Sequence, residues 1–306
     1  MSVSQSDVSV SQPDATLAGE IPPEETVGAR IVRFLSKTPV YFVLVLLGLL
    51  WLVPTLGLMF TSLLGPEDLL SEGWWQLFST PSKATFDNYQ AIFENDTITS
   101  SLWTTAQIAI GGTILPIFVG ALAGYAFAWL EFPGRDWLFI LVIALLVVPL
   151  QMALIPIFSL YDTAGIFDSV IGLILFHTAF GLPFAIFLLR NFFVGLPHEL
   201  LEAARMDGAG EWRVFTKVVL PLGLPAIASL LIFQFLWVWN DLLVALVFAG
   251  GDTQPMTVAI REQLRSFSAN IDVIAPAAFL QMAVPLLVFF AFQRYFVQGL
   301  LSGSQR

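Results

Sequence analysis

Six uninterrupted apolar stretches dominate the sequence, at approximately 39–63, 102–130, 137–160, 170–189, 223–248 and 273–296. A helix rises about 1.5 Å per residue, so a hydrocarbon core about 30 Å thick needs about 20 apolar residues to cross. Each stretch meets that length, and none shows the period-two alternation of an outer-membrane barrel strand, which uses only about 10 residues. The expected fold is all-α, a polytopic membrane bundle of six transmembrane helices. Composition agrees, since only 12% of residues are charged and 57% are hydrophobic, whereas a soluble domain carries about 25% charged residues.

Where the charge sits gives the orientation. The formal net charge is −10. Residues 1–29 hold five acids and no base, and residues 65–100 hold six acids against Lys83, so the acidity belongs to a tail and one loop and the rest of the chain is neutral. Lys and Arg in short loops stay on the cytoplasmic side. With the amino terminus inside, the inner segments collect Arg30, Arg33, Lys37, Arg135, Arg190, Arg205, Arg213, Lys217, Arg294 and Arg306, which is ten of thirteen bases; Lys83, Arg261 and Arg265 fall outside. Both termini are then cytoplasmic, and the acidic loop 65–100 faces the exterior.

Several classes are excluded directly. With no cysteine there is no disulfide, zinc finger, iron–sulfur cluster or thiol nucleophile. A nucleic-acid partner would require a basic footprint, and this chain is acidic. The Ser-, Gln- and acid-rich residues 1–29 bury too little apolar surface to offset chain entropy and are expected to form a disordered acidic cytoplasmic tail. They lack the basic start of a secretory signal, and the apolar run that follows is too long for one.

The longest inner connection, 190–222, reads RNFFVGLPHELLEAARMDGAGEWRVFTKVVLPL. Its first part has the chemistry of a short helix: Pro197 near the first turn, Glu199 and Glu202 early, and Gly208 where a left-handed ending is wanted. A turn and a second helix are expected to follow. Leu200, Ala203 and Ala204 fall on one small apolar face, with Glu202, Arg205 and Asp207 off it. A mere connector could be a few residues long; an amphipathic one of this length suits a docking surface, its alanines allowing close approach and its rim charges fixing register.

These residues carry a resemblance. Glu202-Ala203-Ala204, three residues, Gly208, nine residues, then Val218-Val219-Leu220-Pro221 is similar to the EAA loop of binding-protein-dependent ABC importer permeases, with Val218 in place of Ile. The likeness extends over 85–306 and is closest to the carbohydrate branch, the second permease of maltose-type and α-glucoside-type importers; LAGYAFAWLEFPGRD, FQFLWVWNDLLVAL and APAAFLQMAVPLLVFF support it. The segment 30–84 adds a first span and the acidic loop. The resemblance implies a type I ABC importer permease fold in the inner membrane of a prokaryote. It also implies that the EAA loop forms a coupling helix seated in a cleft of an ATPase subunit. Glu202, Ala203, Ala204 and Gly208 would be the contact centre, Arg205 and Asp207 rim charges, and Leu220 and Pro221 the end of the motif.

Polar residues at membrane depth are costly in lipid and are candidates for a pathway. Asn240 and Asp241 lie inside the fifth run, where an aspartate at the bilayer centre costs about 2.5–3.5 kcal/mol on insertion scales. They suit either a polar lining for a hydroxyl-rich solute or an interhelical clamp. Trp237 and Trp239 add aromatic faces, although Trp also belongs at membrane interfaces. Gln151, Gln234 and Gln281 are weaker candidates for the same pathway or for helix–helix bonds. Pro149, Pro156, Pro183 and Pro285 should bend or break their spans. His177 and His198 read as structural, and His198-Glu199 lacks the last ligand of H-E-x-x-H. The outer segment 250–272, with Asp252, Arg261, Glu262 and Arg265, matches the loop that in maltose-type permeases reaches toward the sugar site of the binding protein.

No G-x-x-x-x-G-K-[ST] phosphate loop exists in the chain. It is expected to be a transport subunit without its own ATPase site and with no cofactor of its own, ATP and Mg being used by another chain. The resemblance implies a second permease subunit as heterodimer partner, two ATPase subunits and an external solute-binding protein. A secondary transporter or channel driven by ion gradients is the alternative; it would need an intramembrane relay of ionisable groups, and Asp241 is the only acid deep in a span. An intramembrane hydrolase is a third reading, but the chain has no G-x-S-x-G string and no second His-containing site.

Overall fold

In the computed structural model, which describes residues 27–71, 73–265 and 271–303, the apolar runs become helices and, among the described residues, no strand forms beyond an isolated bridge between Leu64 and Ala84. The principal helices are α1 (Val27–Ser62), α2 (Asp96–Trp129), α3 (Arg135–Leu145), α4 (Leu150–Ala164), α5 (Val170–Val194), α6 (His198–Met206), α7 (Glu211–Trp239), α8 (Leu243–Phe248), α9 (Met256–Arg265) and α10 (Ile271–Gly303). The chain divides into two units, Met1–Val53 and Pro54–Arg306. The first contains most of α1, and the second contains the remainder. The expected tail 1–29 lies, through residue 26, outside the described residues, and α1 already begins at Val27.

Among the described residues, five helices are long and apolar enough to cross a membrane, and the third expected span is broken. It is not one straight helix over 137–160: α3 and α4 meet at 99° across residues 146–149. Pro149 explains the break, because its ring removes a backbone donor and disfavours helical geometry at Val148. The bent pair counts as a sixth span only if its two arms are taken together. None of the residues of α3 is buried, so this helix presents apolar side chains outward, as a lipid-facing or subunit-facing element does.

The most extensive pairing is α2 with α5. Small residues permit it: a Cβ added at Gly120 would stand 2.7 Å from the Ala185 Cβ, so the backbones approach as close-packed membrane helices do. α7 packs on α2, α5 and α10. Pro116, inside α2, cannot donate to the Gly112 carbonyl, and that freed oxygen accepts from Gln234 Nε2 of α7 at 3.0 Å. Gln234 is thus a helix–helix bond.

The two ends of the bundle differ. At one end Ile92, Ile98, Met256, Ala259 and Ala277 form a core. There the acidic segment folds into short helices, Pro66–Ser71, Gln76–Ser79 and Asp87–Glu94, and Asn88 Nδ2 donates to the Leu64 carbonyl at 2.6 Å. α9 lies at this end, with the Met256 N–H on Thr105 Oγ1 at 2.7 Å. α6 sits at the opposite end, beside the last turn of α2, where Trp129 stacks edge-on against His198 with centroids 4.6 Å apart. α10 runs to Gly303.

Candidate functional site

The connection expected to be about thirty residues long is shorter in space. α5 ends at Val194 and helix resumes at Glu211, leaving α6 as a nine-residue helix between two tight turns. Pro197 precedes it with φ −59 and ψ 125, extended backbone that ends the incoming turn. Gly208 has φ +80. Its N–H donates to the Arg205 carbonyl at 3.0 Å, and that of Ala209 donates to Ala204 at 3.0 Å. This pair of bonds is the Schellman ending that Gly alone adopts without strain.

Burial divides the helix differently from the apolar face expected at Leu200, Ala203 and Ala204. Leu201 is the anchor, 0% exposed in a cluster with Tyr125, Leu189, Phe193, Val214 and Phe215, and Ala204 packs on the same cluster. Leu200 and Met206 are 47% and 89% exposed, and Trp212, just past the turn, is 66% exposed. Ala203, Glu199, Glu202, Asp207 and Gly208 share that open surface. Large apolar side chains left bare on a polar helix mark an interaction surface.

Arg205 is turned inward rather than free at the rim. Its Nε donates to Glu211 Oε1 at 2.9 Å and its Nη2 to Oε2 at 3.2 Å. Tyr125 of α2 donates its hydroxyl to the same carboxylate. The Glu211 partner holds the Arg205 guanidinium above its ordinary value, with burial acting against it. Glu202 lies 4.0 Å from His198 one turn back. Beyond Glu211, α7 widens into a π turn at Phe215–Val219. Pro221 requires it, because its ring has no N–H and would collide with the Lys217 carbonyl four residues earlier. Leu220 packs partly against the cluster that holds Leu201, and Pro221 is exposed.

The membrane-depth candidates separate. Asn240 and Asp241 do not lie within a continuous fifth helix: α7 stops at Trp239 and α8 starts at Leu243. Side chains of this type compete for backbone groups and favour caps over helix interiors. Asp241 caps α8, accepting from the Val244 and Ala245 N–H groups at 3.3 and 3.0 Å, and Asn240 Nδ2 donates to the Leu236 carbonyl at 2.8 Å. Asn240 is exposed, as is Gln151 in the first turn of α4. Trp237 meets the His177 ring edge-on at 5.2 Å. Gln281 is buried on α10, where its Nε2 donates to the Trp239 carbonyl at 2.8 Å and its own carbonyl accepts from Trp239 Nε1 at 2.8 Å, a reciprocal clamp between α7 and α10.

Several relationships escaped sequence reasoning. Tyr125 and Glu211 are 86 positions apart, a separation over which no local pattern speaks. His177, expected to be structural, stands 3.6 Å from the Asp241 carboxylate. Leu201 was hidden by its neighbour Leu200; the i, i+3 pair with Ala204 is the signal that distinguishes it.

The family described as "Binding-protein-dependent transport system inner membrane component" matches residues 116–302. The chain is 45% identical to the osmoprotective compounds uptake permease protein GgtD of Synechocystis sp., over 90% of this chain and 94% of that one. It is 48% identical to the alpha-glucoside transport system permease protein AglG of Rhizobium meliloti, over 74% of this chain and 61% of that one. In structure it is similar to a chain of a bacterial ABC transporter involved in import of the acidic polysaccharide alginate, with TM-score 0.73, 20% identity, and coverage of 90% of this chain and 99% of that one. The fold is therefore shared, and the chain belongs to the family of inner-membrane permease subunits of binding-protein-dependent ABC importers.

Proposed function

We propose that this permease brings a di- or oligosaccharide or a glucoside into the cytoplasm, using ATP that separate subunits hydrolyse with Mg. The observation that carries this reading is α6, firmly rooted by Leu201 and Arg205 yet presenting Leu200, Ala203 and Met206 outward. A helix so held transmits a push without bending, and its bare face suits the cleft of an ATPase subunit. Glu202, Asp207 and Gly208 border that face. The placement of α6 opposite the acidic segment accords with a cytoplasmic α6, both termini inside and acids outside.

The assembly would comprise this chain, a second permease, two ATPase subunits and an external solute-binding protein. The kinship with a permease named for alpha-glucoside transport favours a glucoside, and Trp237, Asn240 and Asp241 supply the aromatic and polar groups that a hydroxyl-rich solute meets. Uptake of labelled α-glucosides by proteoliposomes holding the whole assembly tests the reading. Uptake should require ATP, the binding protein and the ATPase subunits together; uptake by this chain without the ATPase would overturn it in favour of an ion-driven carrier.

A further inference from the structure

The gap between His177 and Asp241 has a chemistry of its own. His177 is 1% exposed in the middle of α5, and its Nδ1 lies 2.8 Å from the Leu173 carbonyl oxygen. A carbonyl only accepts, so Nδ1 carries the hydrogen, and in the neutral ring Nε2 is left as an acceptor. That nitrogen is buried without a hydrogen-bond partner. It faces Asp241 Oδ2 at 3.6 Å, longer than a hydrogen bond, and with the neutral ring this sets two acceptors against each other. A buried acceptor left in that position costs about 1–3 kcal/mol.

Beside them is a cavity lined by Thr105, Leu173, His177, Val238, Asp241 and Pro255, among others, with about 10 Å³ open to the centre of a water molecule, close to the roughly 10–15 Å³ that one water needs. Most of its wall offers nothing polar. Pro255 has no N–H, and Thr105 Oγ1 is occupied, donating to the Ser101 carbonyl at 2.7 Å and accepting from Met256 N–H. A small molecule with two donors would satisfy both acceptors. We propose that this cavity is a binding site for one water molecule, which donates one O–H to His177 Nε2 and the other to Asp241 Oδ2. The water ties α5 to the break between α7 and α8 through a link that re-forms when the break shifts, which a direct bond of fixed length would not do.

Solid-state NMR of the whole assembly in lipid, with ¹⁵N-labelled histidine in this chain, tests the site. The chain has only two histidines, so His177→Gln identifies the signals by their loss. The expected spectrum shows hydrogen on Nδ1, none on Nε2, and a water-to-Nε2 cross-peak. Asp241→Leu should abolish that cross-peak. Asp241→Asn, which keeps a capping oxygen for α8, should replace it with one from the side-chain amide. Hydrogen bonded to both ring nitrogens, no water cross-peak in the unaltered protein, or a water cross-peak unchanged in both variants would each overturn the proposal.

Discussion

Arg205 and Glu211 close the turn between α6 and α7 through two parallel hydrogen bonds, Nε to Oε1 at 2.9 Å and Nη2 to Oε2 at 3.2 Å. Because Tyr125 donates to the same carboxylate, one side chain joins the projecting helix to the ends of α2 and α7. α6 is thereby bonded to two spans at one point.

Replacing the carboxylate should uncouple the machine more than unfold it. The pair is partly exposed, with side-chain exposures of 34% and 45%, and such a pair contributes about 0.2–1 kcal/mol to stability. Glu211→Gln is expected to shift thermal unfolding little while lowering uptake per ATP hydrolysed severalfold in proteoliposomes. Unaltered coupling would show that the junction is decorative.

Leu201 and Met206 lie on opposite sides of one helix and should fail in opposite ways. Leu201→Ala empties a fully buried position, at a cost of about 2–5 kcal/mol, and should lower the unfolding temperature. Met206→Ala removes a side chain 89% exposed; it should leave stability intact and weaken retention of the ATPase subunits during purification.

At Gly208 the demand is conformational. No neighbour crowds the position, and φ is +80, so a side chain there meets backbone strain of about 1–2 kcal/mol. Gly208→Ala should reduce transport with the protein still in the membrane, and Gly208→Val should reduce it further. Equal activity of Gly208→Val and the parent protein would rule out the left-handed ending.

A double-mutant cycle isolates the bond between α2 and α7. Gln234→Leu leaves the Gly112 carbonyl without its partner and should cost about 1–3 kcal/mol. In a Pro116→Ala background the helix can supply its own donor to that carbonyl, so the same substitution should cost less. Additive losses would mean that the two residues do not share the oxygen.

The long apolar runs made the bundle legible, and the spaced residues from Glu202 to Pro221 made α6 legible, because both signals are local. The breaks were less so. Pro149 announced a bend, but its 99° turn depends on how α3 and α4 pack. Asn240 and Asp241 sat in a run of apolar neighbours, and only the cap on α8 reveals why the helix stops there. Arg205 looked like a rim charge because its partner, Glu211, occupies the spacer that the motif leaves unspecified. Contacts such as Tyr125 with Glu211 and His177 with Asp241 join distant segments, and they follow from tertiary packing alone.

The most direct test of the account is chemical cross-linking from α6. The chain has no native cysteine, so Met206→Cys introduces a unique thiol on the exposed face. With a cysteine placed in the cleft of the ATPase subunit, oxidation in proteoliposomes should join the two chains, arrest ATP-driven uptake, and release it again on reduction. Full uptake alongside a thiol that never reaches the ATPase, in either the presence or the absence of nucleotide, would contradict the claim that α6 is where the motor takes hold.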